Sequence, residues 1–215
     1  PNVLIGDDDE AGYEPTGGVV LSERAVELQL KLALAHGATV QTNDPVTDVQ
    51  FGRECVTVIT ERSRYQADRV IITAGAWMRD FMPKSKHGLM RVTRQVVFWF
   101  EVEEPALFAT DRFPFFLWLG DTTEDYIGIF PMPPNGIPGI KLLSEQFHTA
   151  TDPASVSRTV TERDAESFYR KFATRKLVGV KPRCIKSAVC LYTNTPDEHF
   201  IIDHHPESER VLVAS

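Results

Sequence analysis

SAVCLYTNTPDEHFIIDHHP, residues 187–206, reads as strand, polar loop and strand: an apolar run ends near Tyr192, Pro196 interrupts, and a second apolar run begins at Phe200. The whole stretch holds three acids and three of the six histidines, and one cysteine sits on the first run. Three readings are open. Asp197, Glu198, His199, Asp203, His204 and His205 could hold a metal, Cys190 could be a reactive thiol, or the loop could be solvated and plain. Neighbouring residues on an extended segment point to opposite faces, so Asp203, His204 and His205 do not converge readily, and no HExxH spacing supports a metal. Cys190 in a strand is usually a small buried hydrophobe; reactivity needs exposure and nearby positive charge.

Working outward from this stretch, residues 211–214 form a further short strand, and Thr161 with Asp164 makes a capping-box pattern opening a helix to about Ala173. On that helix Phe168 and Phe172 share a face. Residues 91–102, 113–119 and 126–130 read as aromatic-rich strands of one large sheet, joined through a proline-rich turn to a further apolar strand at 139–143. Lys141 lies inside that further strand, where a charge needs water, a carboxylate, a ligand or an edge position, since lysine also guards edge strands. Nearer the start, Ser22 caps a helix with apolar residues at helical spacing, and Gly37 suits its left-handed end. Strands follow over residues 38–41, 46–51, 55–60 and 69–73. The run VIITAGAW (residues 70–77) ends in Gly75, which permits close approach by a ligand or a packed helix. A helix followed by strands of this kind suits an α/β (α+β) class, and the texture changes near residues 83–88.

Composition narrows the chemistry. A net charge of −7 argues against nucleic acid or an anionic membrane as partner and favours small-molecule work. Three cysteines with no CxxC pair suggest neither a disulfide framework nor a cysteine zinc site. No run of eighteen apolar residues and no signal pattern is present; the default compartment is cytoplasmic. There is no GxGxxG and no GxxxxGK[ST]. A start at Pro1 without Met, and a stop directly after an apolar run, suggest a piece of a longer protein.

Taken as a whole, residues 187–206 resemble the motif of the monomeric sarcosine oxidase and N-methyltryptophan oxidase family of FAD-dependent amine oxidases. VIITAGAW, RQVVFWFE (residues 94–101), IGIFP (residues 127–131) and GIKLL (residues 139–143) join the match in the family's order. The resemblance implies that Cys190 bonds covalently to the flavin 8-methyl carbon and that Lys141 lies near flavin N5, where its charge stabilises superoxide. It also implies that the Val46 backbone meets the adenine and that Gly75 approaches the cofactor; no metal is implied.

For the architecture, the resemblance implies a discontinuous FAD-binding domain, partly supplied by residues 1–86 and 196–215, and a substrate domain with a large mixed sheet over residues 87–195. The implied partners are a secondary amine, such as sarcosine or another N-methyl amino acid, and oxygen, with an imine, an aldehyde and hydrogen peroxide formed. Two departures stand out. Glu145 occupies a position where several members carry a histidine, and Gly128 one where some carry a substrate-facing tyrosine. The family's N-terminal glycine fingerprint, substrate-carboxylate arginine and GFSGHGFK-type segment do not occur in this sequence, so these residues alone are not expected to bind FAD normally. Alternatives are a non-covalent oxidase or dehydrogenase of D-amino or imino acids, and a cofactor-free assembly subunit of the same fold.

Overall fold

The structure is a computed structural model describing residues 2–120, 126–146 and 149–215 of the 215-residue chain. In chain order it contains α1 (Ser22–Ala35), β1 (Val46–Phe51), β2 (Val56–Thr60), β3 (Arg64–Ala67), β4 (Val70–Ile72), β5 (Arg91–Val102), β6 (Phe116–Trp118) and β7 (Ile127–Phe130). Then come β8 (Ile140–Leu143), α2 (Glu162–Phe168), α3 (Thr174–Lys176), β9 (Val180–Asn194), β10 (Ile202–His205) and β11 (Ser208–Ala214). Two compact units result. The first comprises Pro1–Ala25, Arg94–Gln146 and Ser157–Cys190; the second comprises Val26–Thr93, Phe147–Val156 and Leu191–Ser215.

The first unit is built on a five-stranded sheet in the order β6-β7-β8-β5-β9. Alternate residues of β5, Val96, Phe98, Phe100 and Val102, are buried with Ile127, Ile129, Ile140 and Leu142 beneath Phe168 and Phe172. Each such side chain contributes roughly 1.5–3 kcal/mol on burial. The covering helix starts where the sequence predicts: the Asp164 N–H donates to Thr161 Oγ1 at 3.2 Å, and the Thr161 N–H donates to Asp164 Oδ2 at 2.9 Å. α2 then widens into a π-helical turn, Tyr169–Ala173, before α3. Phe168 packs on Phe98 with ring centroids 4.7 Å apart. Because a strand alternates, Val97 and Trp99 face the other side of the sheet, alongside their cross-strand partners Leu143 and Lys141.

The second unit has two three-stranded sheets, ordered β1-β2-β3 and β10-β11-β4. β4 and β11 pair in parallel, with Val70, Ile71 and Ile72 opposite Val211, Leu212 and Val213. Val56, Ile72, Met78, Met90, Val211 and Val213 form its core, whereas Ile71 remains 66% exposed and Ile202 76%.

Several sequence expectations need correction. Residues 38–41 form no strand, although β-branched residues occur there, and β3 occupies what reads as a polar turn because RYQA pairs with β2 along its backbone. Ser22 does not cap α1; it is the first helical residue, and its hydroxyl donates to Glu23 Oε2. Gly37 does adopt the left-handed conformation, with φ +87°. No residue of α1 is buried, despite its apolar spacing. No helix among the described residues is long and apolar enough to cross a membrane.

Candidate functional site

Lys141 lies on β8, hydrogen-bonded between β7 and β5, so it is a central-strand lysine and the edge-guard reading is overturned. Its cross-strand partners are Phe130 on β7 and Trp99 on β5. The ammonium sits 4.5 Å from the Phe130 ring centroid and 5.6 Å from that of Trp99. Two aromatic faces attract a cation electrostatically while the alkyl stem lies along apolar surface, which is how the strand tolerates the charge. A second lysine, Lys186 on β9, places its ammonium 5.2 Å from the same Trp99 centroid. No local pattern marks Trp99, Phe130 or Lys186 as neighbours of Lys141; the pairing of the strands brings them together.

Cys190 is the exposed one of the three cysteines, and Cys55 and Cys184 are half-buried. Burial pushes the Cys184 thiol up, against a weaker opposing effect from main-chain hydrogen bonds at Lys186 and Trp99. Val189 packs against the phenylalanine core, so strand alternation turns Cys190 to the opposite face of the sheet. Lys186, four residues earlier on the same strand, shares that face with Trp99 and Lys141. One sheet face therefore carries an accessible thiol and two ammonium groups.

The two departures also lie along β7 and β8. A Cβ on Gly128 would meet Leu143 Cγ and Cδ1 and Phe130 Cε2 at 3.3 Å, so neighbouring apolar side chains already crowd that place. Glu145 follows β8, and its neighbour Gln146 is fixed by buried Gln95. The Gln146 N–H donates to Gln95 Oε1 at 2.9 Å, and Gln95 Nε2 donates to the Gln146 carbonyl at 3.1 Å.

Val46 and Gly75 belong to the second unit. Val46 lines a cavity of about 780 Å³ together with Val49, Phe51, Ala74, Trp77 and His205. Ala74 and Trp77 flank Gly75, whose φ of +53° favours glycine, and no atom stands within 4 Å of where its Cβ would be. His205 is 3% exposed, its ring tilted against Phe51 with centroids 4.5 Å apart, and its Nε2–H donates to the Phe81 carbonyl at 2.9 Å. His204 is exposed, so the two adjacent histidines do diverge.

The loop between β9 and β10 is held by its own hydrogen bonds. The His199 N–H donates to Asp197 Oδ1 at 3.3 Å, and the Thr195 hydroxyl donates to the His199 carbonyl at 2.8 Å. The backbone N–H of His199 first, and then the Thr195 side chain beside it, hold the Asp197 carboxyl below the usual range. Among the described residues no group of three or more His, Cys, Asp and Glu is placed to hold a metal.

A profile of the family described as FAD dependent oxidoreductase matches residues 2–215. The chain belongs to that family. Among its relatives, the monomeric sarcosine oxidase of Bacillus sp. (strain NS-129) is 34% identical over 216 residues, spanning 99% of this chain and 54% of that protein. The N-methyl-L-tryptophan oxidase of Salmonella arizonae is 30% identical over 213 residues, spanning 99% and 55%. The chain spans about half the length of the curated relatives it matches. Among solved structures the fold is similar to NikD, an unusual amino acid oxidase essential for nikkomycin biosynthesis, with a TM-score of 0.71 at 19% identity over 90% of this chain and 51% of that one. It is also similar to a double-cysteine mutant of Amadoriase I from Aspergillus fumigatus, with a TM-score of 0.66 at 18% identity over 90% and 46%. The FAD dependent oxidoreductase family thus accounts for the mixed α/β architecture of both units.

Proposed function

We propose that the full-length protein is a flavin-dependent oxidase of a secondary amine, sarcosine or another N-methyl amino acid, with FAD held covalently through Cys190. The observation that carries this reading is the sheet face described above: Lys141 fixed against Trp99 and Phe130, with the exposed Cys190 thiol on the same side. Those residues would fit a flavin. The Cys190 thiolate would add to the methide form of the oxidised ring, the methyl losing a proton as the carbon–sulfur bond forms and the two electrons passing into the ring for oxygen to take up. A fixed cation favours anions formed beside it. When bound, the flavin takes a hydride equivalent from the amine and yields its two electrons to oxygen. One amine, one oxygen and one water then give the demethylated amino acid, formaldehyde and hydrogen peroxide.

Each residue has a defined part in this reading. Cys190 tethers and orients the ring. Lys141 stabilises superoxide with its positive charge. The Val46 main chain and the open approach at Gly75 serve the adenine half, supported by the cavity that Val46 shares with Ala74 and Trp77. Residues 1–86 and 196–215 belong to the FAD-binding domain and 87–195 to the substrate domain in this proposal. The rest of the protein supplies the dinucleotide fingerprint and covers apolar surface such as α1. The compartment proposed is cytoplasmic, with a small amine and oxygen as partners and neither nucleic acid nor membrane.

The test is flavin retention. Purified full-length protein is expected to be yellow and to keep its flavin through acid denaturation, while Cys190→Ser releases it. Release from the wild type would move the reading to a non-covalent amino acid or imino acid oxidase or dehydrogenase. A colourless full-length protein would overturn it.

A further inference from the structure

One guanidinium joins three turns of the second unit. Arg210, on β11, donates from Nε to the Arg53 carbonyl at 3.2 Å, in the turn between β1 and β2. From Nη1 it donates to the Asp68 carbonyl at 3.3 Å, in the turn between β3 and β4, and its backbone N–H donates to the Ser208 hydroxyl oxygen at 3.3 Å. Two main-chain carbonyls therefore hold the group in place, and its Nη2 makes no hydrogen bond to the described residues. Beside it lies a hollow of about 380 Å³ lined by Gly52, Arg53, Arg69, Ser208, Glu209 and Arg210. The turn that presents Arg53 is tight, since a Cβ on Gly52 would stand 2.5 Å from the Cys55 carbonyl oxygen.

The charge there is unlike that of the chain. Three arginines against Glu209 leave the hollow two net positive charges, in a chain whose net charge is −7. Glu54, Asp68 and Glu207 are neighbours in sequence but are not among its lining residues. Among the described residues none of the three arginines makes an ion pair within 4.0 Å, although the chain holds 30 acids. Like charges that the fold gathers repel, and an anion between them relieves that repulsion.

We infer that this hollow is a binding site for a doubly charged phosphate group, free or at the end of a small monoester, held by Arg53, Arg69, Arg210 and the Ser208 hydroxyl. The net charge selects the class, because two positive charges match a dianion and a carboxylate would leave one of them unmet. Planar guanidinium forks also fit phosphate oxygens in pairs. Arg210 is positioned before a ligand arrives, so binding there loses less side-chain freedom than at mobile residues. Ser208 Oγ accepts the Arg210 N–H and keeps its own O–H to donate to the anion. A phosphate so held would tie the three turns together. The site needs no flavin and is independent of the oxidase reading.

The experiment titrates inorganic phosphate into full-length protein at constant ionic strength and about pH 8, where phosphate is chiefly dianionic. The Arg210 Nε–H line in the nitrogen-15 spectrum, assigned by its loss in Arg210→Lys, is expected to shift saturably. Arg53→Gln and Arg69→Gln should each raise the dissociation constant about tenfold, the effect of one unit charge on a dianion near contact after screening by salt. Arg69→Lys keeps the charge and should stay within about threefold of wild type. Acetate, with one charge, should bind at least about tenfold more weakly than phosphate. A second measurement on the wild type needs no variant: at ten times the dissociation constant, amide exchange at residues 211–213 should slow about elevenfold. Glycerol phosphate binding more tightly than phosphate assigns the site to a monoester, and equal or weaker binding assigns it to the free ion. A wild type with no saturable shift, glutamine variants that titrate like it, or acetate that binds as well as phosphate overturns the site.

Discussion

Gly139→Ala tests how the strand carrying Lys141 is seated. A Cβ there would stand 2.6 Å from the Phe100 carbonyl oxygen and 2.5 Å from Ile185 Cδ1. The isoleucine tip can rotate away, but the carbonyl belongs to β5, whose Phe100 pairs with Ile140. A normal carbon–oxygen contact needs about 0.7 Å more than is available. Relief requires β8 to move off β5 by roughly that distance, at a cost of roughly 1–3 kcal/mol, the usual penalty for overpacking a filled site. Native-state hydrogen exchange on the full-length protein reads this locally, as amide protection at Ile140–Leu143. One kcal/mol is about a fivefold faster exchange and three is over a hundredfold, so the range is measurable. The displacement acts two residues before Lys141, so the Trp99 environment should change with it. Wild-type protection of β8 in Gly139→Ala would refute the close approach.

Other substitutions probe the site and its supports. Lys141→Met should slow reoxidation of reduced flavin by about a hundredfold while leaving the amine half-reaction within a few-fold, and equal slowing of both would refute the assigned role. The Asp164 carboxyl is lowered from 3.8 by the Thr161 N–H first and then the Thr161 hydroxyl. A depressed carboxylate contributes stability above its unfolded value that is lost as pH falls through the folded one, so Asp164→Asn should cost about 1 kcal/mol at pH 7. The gap to wild type in urea titrations should close below about pH 4; a gap independent of pH would count against the capping geometry. His205→Leu strands the Phe81 carbonyl and the Glu207 N–H, which donates to Nδ1 at 3.2 Å, and should cost about 2 kcal/mol in the same assay. No loss would mean that those groups find other partners.

Local signals with a chemical mechanism were legible in the sequence. The Thr161–Asp164 box, the left-handed Gly37 and the divergence of His204 from His205 each follow from a few adjacent residues, and the structure has all three. The strand series also gave the large sheet, with boundaries off by a few residues where aromatic runs continue past the hydrogen-bonded ladder, as at Phe116–Trp118. What escaped depended on pairing across distance. Lys141 looks like an edge guard until Phe130 and Trp99 are placed on either side of it, and Lys186 has no local pattern to mark it. β3 was hidden because RYQA has little apolar character and is held mainly through its ladder with β2. α1 shows the opposite lesson: its apolar spacing is real, yet nothing among these residues buries it.

The parallel pairing of β4 with β11 also sets a clock. Val70 must find Val211, about 140 residues later, so at ribosomal rates of 5–20 residues per second β4 waits roughly 7–30 s for its neighbour. During that interval Val70-Ile71-Ile72 is a short β-branched segment with an unfilled edge, the kind of segment that pairs with other chains. Yield of folded protein should therefore depend on elongation rate and on holdase chaperones acting between synthesis of the fourth strand and the eleventh, a demand set by topology and independent of the chemistry the protein performs.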